Sequence, residues 1–459
     1  MKLSVDIPFA LLLFAFALSD PVTTNFVVYR TCYVTMGFNK SDCALLGTPE
    51  ATDETAKLEL KVQPHAAVLT TTKSVTEIVV TSIWCFFLGP WSDQYGRRPV
   101  MIMSLAGFVC AYAIITAISL FEMLSPWFLL LASIPICLTG GFPSFLAVSI
   151  CHLTETTHIV KRGFRMGIFE AVITIAGLLG ATASSFVFHA YGYFTLYYIT
   201  ASCIVTAWII VMIFVQESNP NPETEGRCRN LFKFSLIKDT VKTTFEERPG
   251  LDRPLLLSVI LMTVIFLLAV TADGNIVFLY LRRKLSWTLR QYTLFASCRK
   301  ISWIIGSILG GYVLHTLLKV EESVVILLGF LSVMANVLIQ GLASKDWHMY
   351  VAGAVICFGG SISPMTRSLI SKLVHFNECG KVFSFVIMVE TIVDLLGSPI
   401  YTYIYNHTIE TLPGAFNFVT TGIYGFEVVL TIGIITLQLR RFGNDNYEPI
   451  NDVIDVVNT

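Results

Sequence analysis

A dozen apolar runs, each long enough to cross a bilayer as a helix and parted by polar turns, constrain this chain more than any other feature. They fall at about 7–29, 65–88, 100–120, 126–150, 166–190, 193–215, 254–281, 291–315, 322–343, 347–371, 382–405 and 412–439. A helix spans the hydrocarbon core with about 20 apolar residues, and one soluble core cannot hide so many. With 54% hydrophobic and 14% charged residues, the expected class is an all-α integral membrane protein with twelve transmembrane helices. The charge-rich stretch 217–252 divides them six and six. The expected parts are therefore a first six-helix bundle (1–216) with a polar loop at 30–64, a connector (217–252), a second six-helix bundle (253–441) and a tail (442–459).

Met1-Lys2 followed by the apolar run to Leu18 has the form of a signal peptide. Apolar character resumes after Asp20-Pro21, however, so the segment reads as one spanning helix with a polar break. The formal net charge of −1 gives no reason to expect a nucleic-acid partner. The eleven cysteines form no metal-ligand set, so no metal site is inferred; Cys32 and Cys43, in the loop 30–64, either pair or stay free. With both termini on the cytoplasmic side, Lys and Arg are in excess on that side, as the positive-inside rule requires, although Arg282-Arg283-Lys284 falls opposite. The two glycosylation acceptors, Asn39 in Asn-Lys-Ser and Asn406 in Asn-His-Thr, then both lie outside.

Between the second and third runs stands Gly89-Pro90-Trp91-Ser92-Asp93-Gln94-Tyr95-Gly96-Arg97-Arg98-Pro99, read as a tight cytoplasmic turn. Gly96 can take positive φ, Pro99 suits the first turn of the next helix, and Arg98 with Arg97 keeps to the cytoplasmic side. Asp93 either pairs with those arginines or sits at the positive N-terminus of a neighbouring helix.

Ionisable residues inside membrane spans are costly and mark functional sites or ion pairs. Lys73 and Glu77, four apart, can pair with each other. Glu170 has no such local partner. Burial disfavours a charged carboxylate, so Glu170 is either a proton carrier or the partner of a base on another helix. Arg367 follows Gly359-Gly360-Ser361-Ile362-Ser363-Pro364; it is a candidate anion contact, a structural ion pair or an anchor at the helix end. Asp273, Arg299, Lys300, Glu390 and Asp394 are further candidates, and His152 reads as a hydrogen-bonded interior histidine.

The hinge spacing Gly-x-x-x-Asp-x-x-Gly-Arg-Arg resembles the signature of the major facilitator superfamily, with Trp91 where that family usually has Leu. Together with Pro21-Val22-Thr23-Thr24, Val28-Tyr29-Arg30, Phe164-Arg165, Glu170-Ala171, Arg367 and Ser371-Lys372-Leu373-Val374, it resembles the proton-coupled folate transporter branch of the solute carriers. That resemblance implies two bundles rocking about a central site and symport of an organic anion, folate-like or muropeptide-like, with the proton as coupling ion and no other cofactor. It passes proton coupling to Glu170, coupling or substrate binding to Arg367, and conformational switching to Asp93 and Arg97. From the residues themselves, Asp273 and Glu390 are added as candidate proton carriers, Arg299 as a candidate substrate contact, and Gly96 and Arg98 as parts of the switch. Two departures stand out, Val270 in place of a helix-7 histidine and Ser286 in place of a loop cysteine. Drug/proton antiporters of the superfamily carry a Gly-Pro-ended motif in helix 5, and Gly177–Ala181 has no proline, which favours symport or facilitated uptake. The rival readings are a proton-independent uniporter and a non-transporting receptor or accessory protein on the same scaffold. The sequence carries no His-Glu-x-x-His and no other recognisable catalytic constellation, so an enzyme is not expected. In the tail, Tyr447-Glu448-Pro449-Ile450 has the Tyr-x-x-apolar form read by sorting adaptors, so Tyr447 and Ile450 point to an endosomal or lysosomal membrane as the alternative to the plasma membrane.

Overall fold

The computed structural model describes residues 4–46, 53–219, 222–223, 226, 230–231, 233–248, 250–285, 287, 289–375, 378–408, 412 and 414–443. The side chains at 53–57, 60, 160, 271–275, 278–279, 282–283, 289–290, 293, 398, 406 and 441–443 lie outside that description. Helices are the only regular secondary structure among the described residues. In order, the helices are α1 Asp6–Arg30, α2 Lys40–Ala44, α3 Asp53–Tyr95, α4 Arg97–Leu120, α5 Leu130–Leu138, α6 Gly141–Glu155, α7 Arg162–Ile213 and α8 Phe234–Phe245. They continue as α9 Asp252–Asn275, α10 Val277–Leu285, α11 Leu289–Ile308, α12 Glu322–Leu342, α13 Asp346–Val355, α14 Ile362–Leu373, α15 Cys379–Thr408 and α16 Ala415–Gly443.

Nine helical stretches among the described residues are long and apolar enough to cross a bilayer. The longest, α7, is broken at Gly192, where φ is 75°. That break falls where the sequence separates its fifth and sixth runs, so α7 has two legs. The first run forms a single helix in which Pro21 is accommodated.

Three boundaries differ from the sequence reading. The polar loop 30–64 is shorter, because α3 starts at Asp53; Glu, Ala, Lys and Leu are good helix formers and carry the helix beyond its apolar part. The hinge is not an eleven-residue loop. Helix α3 continues through Pro90 to Tyr95, and the turn is made at Gly96 alone, with φ 103°. An L side chain rarely adopts that φ. The connector 217–252 contains α8, which packs on α3 and α15.

Aromatic rings tie the first part of the chain together. Phe9 of α1 lies 5.1 Å from Phe145 of α6 and 4.9 Å from Phe169 of α7, contacts worth about 0.5–1.5 kcal/mol each beyond their buried area. At the end of α1, Cys32 and Cys43 are disulfide-bonded with Cα atoms 5.8 Å apart. Arg30 anchors the same end by donating from Nη1 to the carbonyls of Phe121, Glu122 and Leu124. Lys40 Nζ reaches Glu122 Oε2 at 2.5 Å, and this hydrogen bond holds the Glu122 carboxyl below the usual carboxylate range. The molecule thus has a disulfide end and, opposite it, a hinge end.

Candidate functional site

The hinge is a buried charge network. Asp93 accepts hydrogen bonds from the backbone N–H groups of Gly380 (2.8 Å) and Lys381 (3.1 Å) in the first turn of α15, where the helix dipole favours an anion. Its Oδ1 also lies 2.5 Å from Arg97 Nη2. Both alternatives the sequence left open for Asp93 are therefore realised together. Arg97, 2% exposed, also donates from Nη2 (2.6 Å) and Nε (3.0 Å) to Glu155 and from Nη1 to Ser92 Oγ (2.6 Å). Glu217 accepts from the backbone N–H groups of Arg97 (2.7 Å) and Arg98 (3.0 Å), capping α4. The Arg98 guanidinium reaches the carbonyls of Val211 and Met212.

This network joins the parts of the chain on either side of the connector, and it needs close backbone approach. A Cβ on Gly89 would meet Ser384 Oγ at 2.2 Å, and one on Gly380 would meet the Gly89 carbonyl at 2.4 Å. Further bonds between the two parts crowd toward the same end. Arg162 donates to the Ser371 carbonyl (2.9 Å), and Thr154 Oγ1 lies 3.4 Å from Cys379 Sγ. The rings of Phe164 and Tyr312 are 5.1 Å apart. The hinge end is closed.

Glu170 lies eight residues into α7, about 12 Å along its axis at 1.5 Å per residue. It is ion-paired with Arg367 of α14 and accepts a hydrogen bond from Ser363 Oγ at 3.0 Å. Ser363 and Arg367, four apart, share a helix face and so converge on one carboxylate. The 3₁₀ stretch Ile356–Ser361 precedes α14, so the Gly359-Gly360 sequence does interrupt the regular helix. Glu390 of α15 is half-buried and stands in the fields of both Arg367 and Glu170. The structure thus gathers Glu170, Arg367 and Glu390 from three separate helices.

Arg299 lies on α11, its guanidinium 6.0 Å from the Phe295 ring centroid. The side chain of Asp273 is outside the described residues, as is that of Asn406; Tyr447 and Ile450 lie outside them altogether. Asn39 is exposed before α2. Lys73 pairs with Glu77 at 2.8 Å, and Glu77 also accepts from Ser133 at 2.6 Å. His152 Nε2 lies 3.0 Å from the Gln216 carbonyl, the interior hydrogen bond expected of it.

Sequence reasoning missed Glu155 and Glu217, whose partners are remote in the chain, and Glu427. Glu427 is a lone acid in the last apolar run, the same signal that marked Glu170. It is fully buried in α16, and neither carboxylate oxygen has a hydrogen-bond partner among the described residues. No group of three or more metal-ligating side chains occurs among those residues.

Comparison with known proteins agrees with the geometry. The family model of the Major Facilitator Superfamily matches residues 71–398. A "Probable peptidoglycan muropeptide transporter SLC46" of Drosophila melanogaster is 29% identical over 96% of this chain and 87% of its own length. Two Rattus norvegicus proteins are also similar. The proton-coupled folate transporter is 23% identical over 92% of this chain and 89% of its own. The lysosomal proton-coupled steroid conjugate and bile acid symporter SLC46A3 is 24% identical over 95% and 93%. Among solved structures, the human organic anion transporter MFSD10 superimposes with a TM-score of 0.72 at 13% identity, covering 93% of this chain and 97% of that one. The relatives stand in the branch that the hinge and the Glu170 and Arg367 motifs resemble. The chain belongs to the Major Facilitator Superfamily, as a membrane solute transporter of that branch.

Proposed function

We propose that this protein is a twelve-helix proton-coupled symporter of an organic anion that works by alternating access. The observation that carries the reading is the Glu170–Arg367 ion pair, which joins α7 to α14 across the two parts of the chain. A carboxylate paired to a guanidinium holds that guanidinium away from other anions. A proton arriving on Glu170 weakens the pair and frees Arg367 for a substrate carboxylate, which it can hold bidentately. Proton and anion thereby enter together. Glu390 offsets part of the Arg367 charge while the site is empty; Asp273 and Arg299 are further candidates to carry a proton and to contact substrate.

The twelve crossings follow when the two legs of α7 are counted separately and α11 with its π turn and α15 are added to the stretches above. They form two six-helix bundles, 1–216 and 253–441. The positive-inside rule puts the hinge end in the cytoplasm, so the contacts described correspond to a carrier closed on that side. Glycans on Asn39 and Asn406 fit the opposite side. The tail motif at Tyr447 and Ile450 is proposed as an adaptor signal for an endosomal or lysosomal membrane, the plasma membrane being the alternative. The substrate class rests on relatives described as carrying a muropeptide, folate, or steroid conjugates and bile acids.

The test is uptake of labelled muropeptide and labelled folate at acidic and neutral external pH, in cells with wild-type protein or Arg367→Ala at the surface. Acid-stimulated uptake of one solute is expected. A charge-assisted hydrogen bond is worth about 1.5–3 kcal/mol, so the variant should lose roughly ten- to a hundred-fold of that uptake. Uptake indifferent to pH would favour a uniporter, the reading that Val270 in place of a histidine supports. No uptake of either solute would point to another substrate or to a receptor.

A further inference from the structure

Helix α8 presents its faces in the reverse of the order expected for a helix lying on a protein in water. The face it buries against α3 and α15 is made of Leu236, Thr240, Thr243 and Thr244. The opposite face is the more apolar one. Phe234, Val241 and Phe245 are 80%, 40% and 45% exposed, and at 100° per residue they form one stripe. Lys238 and Lys242 edge it on one side and Lys233 precedes it, all exposed; the exposed acids are Asp239 within the helix and Glu246 and Glu247 just past its end. An exposed Phe/Val stripe edged by lysines is costly in water and suits the boundary between headgroups and acyl chains, where lysine stems lie along apolar surface and their ammonium groups reach the headgroups.

The position of α8 agrees. Phe234 makes an edge contact with Phe87 of α3 at 6.0 Å, and Phe245 makes one with Phe385 of α15 at 5.7 Å. The stripe therefore continues the exposed apolar surfaces of two long helices, with Val79 and Ile83 farther along α3 and Ile392 and Leu396 farther along α15. Flanking bonds hold this segment at the hinge end. Asn219 Nδ2 donates to the Asp93 carbonyl at 2.9 Å, and Arg248 donates to Glu378 at 3.0 Å and to the Leu373 carbonyl at 3.2 Å.

We propose that α8 is a membrane-surface helix. Its Phe234/Val241/Phe245 stripe inserts into the leaflet at the hinge end, and Lys233, Lys238 and Lys242 engage anionic phospholipid headgroups there. Lysines near an anionic leaflet are attracted to its surface potential. Because α8 lies on both α3 and α15, the bound leaflet braces the closed hinge end. The proposal does not depend on which solute is carried, and its failure leaves the transport reading standing.

The test uses the full-length protein in nanodiscs of phosphatidylcholine alone or mixed with phosphatidylserine. A benzophenone amino acid replaces Val241, and Leu331, exposed on α12, serves as a lipid-facing control position. Photolysis followed by mass spectrometry should give a phospholipid adduct at position 241 that increases several-fold with phosphatidylserine. That increase should vanish in Lys238→Gln/Lys242→Gln, while the adduct at position 331 stays indifferent to headgroup. Absence of a lipid adduct at 241, adducts to protein alone, or a yield unaffected by phosphatidylserine would each overturn the proposal.

Discussion

Arg97→Met opens the hinge end. Arg97 is the cation between Asp93 and Glu155, and side-chain exposures of 2–3% for all three leave water little part in stabilising the two acids. Removing one partner of a buried ion pair costs about 3–5 kcal/mol because it strands the other charge, and here two carboxylates are stranded. Separating α15 from α3 lets water reach both, so the loss falls on the closed state. Cys379 provides the readout. It is 5% exposed, beside Thr154 of the other part of the chain. Maleimide labelling of the Cys379 peptide, followed by mass spectrometry, should accelerate roughly a hundred-fold or more, the equilibrium shift matching that energy. Unchanged labelling with normal expression would show that the network does not hold this end shut.

Glu170→Gln removes the dependence of uptake on a proton gradient. The amide keeps an oxygen to accept from Ser363 and Arg367 but has no titrating proton and no charge. Uptake that rises with external acidity in the wild type should become flat with pH. Its maximal rate should fall about ten-fold, in line with the loss of a charge-assisted hydrogen bond of about 1.5–3 kcal/mol. Counterflow under equal solute and proton concentrations should survive, because the guanidinium, facing a neutral amide in place of a carboxylate, still binds the anion. Gradient-driven accumulation that persisted in this variant would remove Glu170 from the coupling role and shift attention to Glu390.

Much of this arrangement is legible in the chain. The period and length of the apolar runs give the helices, Gly96 gives the turn, and the rarity of ionisable residues in membrane spans picks out Glu170, Arg367 and Glu390. What local sequence cannot supply is pairing. Nothing near Glu170 indicates that its base lies at Arg367, and nothing near Arg97 indicates Glu155, because these contacts depend on which helices are neighbours. Helix ends are blurred for a related reason. The expected loop at Gly89–Tyr95 contains Pro90 and Gly89, which in water would argue for a turn. Here the segment stays helical because Gly89 must pass Gly380 and Ser384 at close range, and the packing of α3 on α15 outweighs local propensity.

The acceptor arrangement at Asp93 also bears on how this protein can change over generations. The groups that hold its carboxylate on α15 are main-chain N–H groups of positions 380 and 381; position 381 supplies its own whatever side chain it carries short of proline, while position 380 has no room for a Cβ. The latch therefore constrains the two parts of the chain unequally. The first part must keep an acid of the right length at position 93 and a guanidinium at position 97. The second must supply a helix start and enough room at Gly380, leaving the side chain at position 381 free to drift. On α15 the carboxylate is met by backbone and not by a side chain, so the side-chain partner of Asp93 is sought in its own part of the chain, at Arg97.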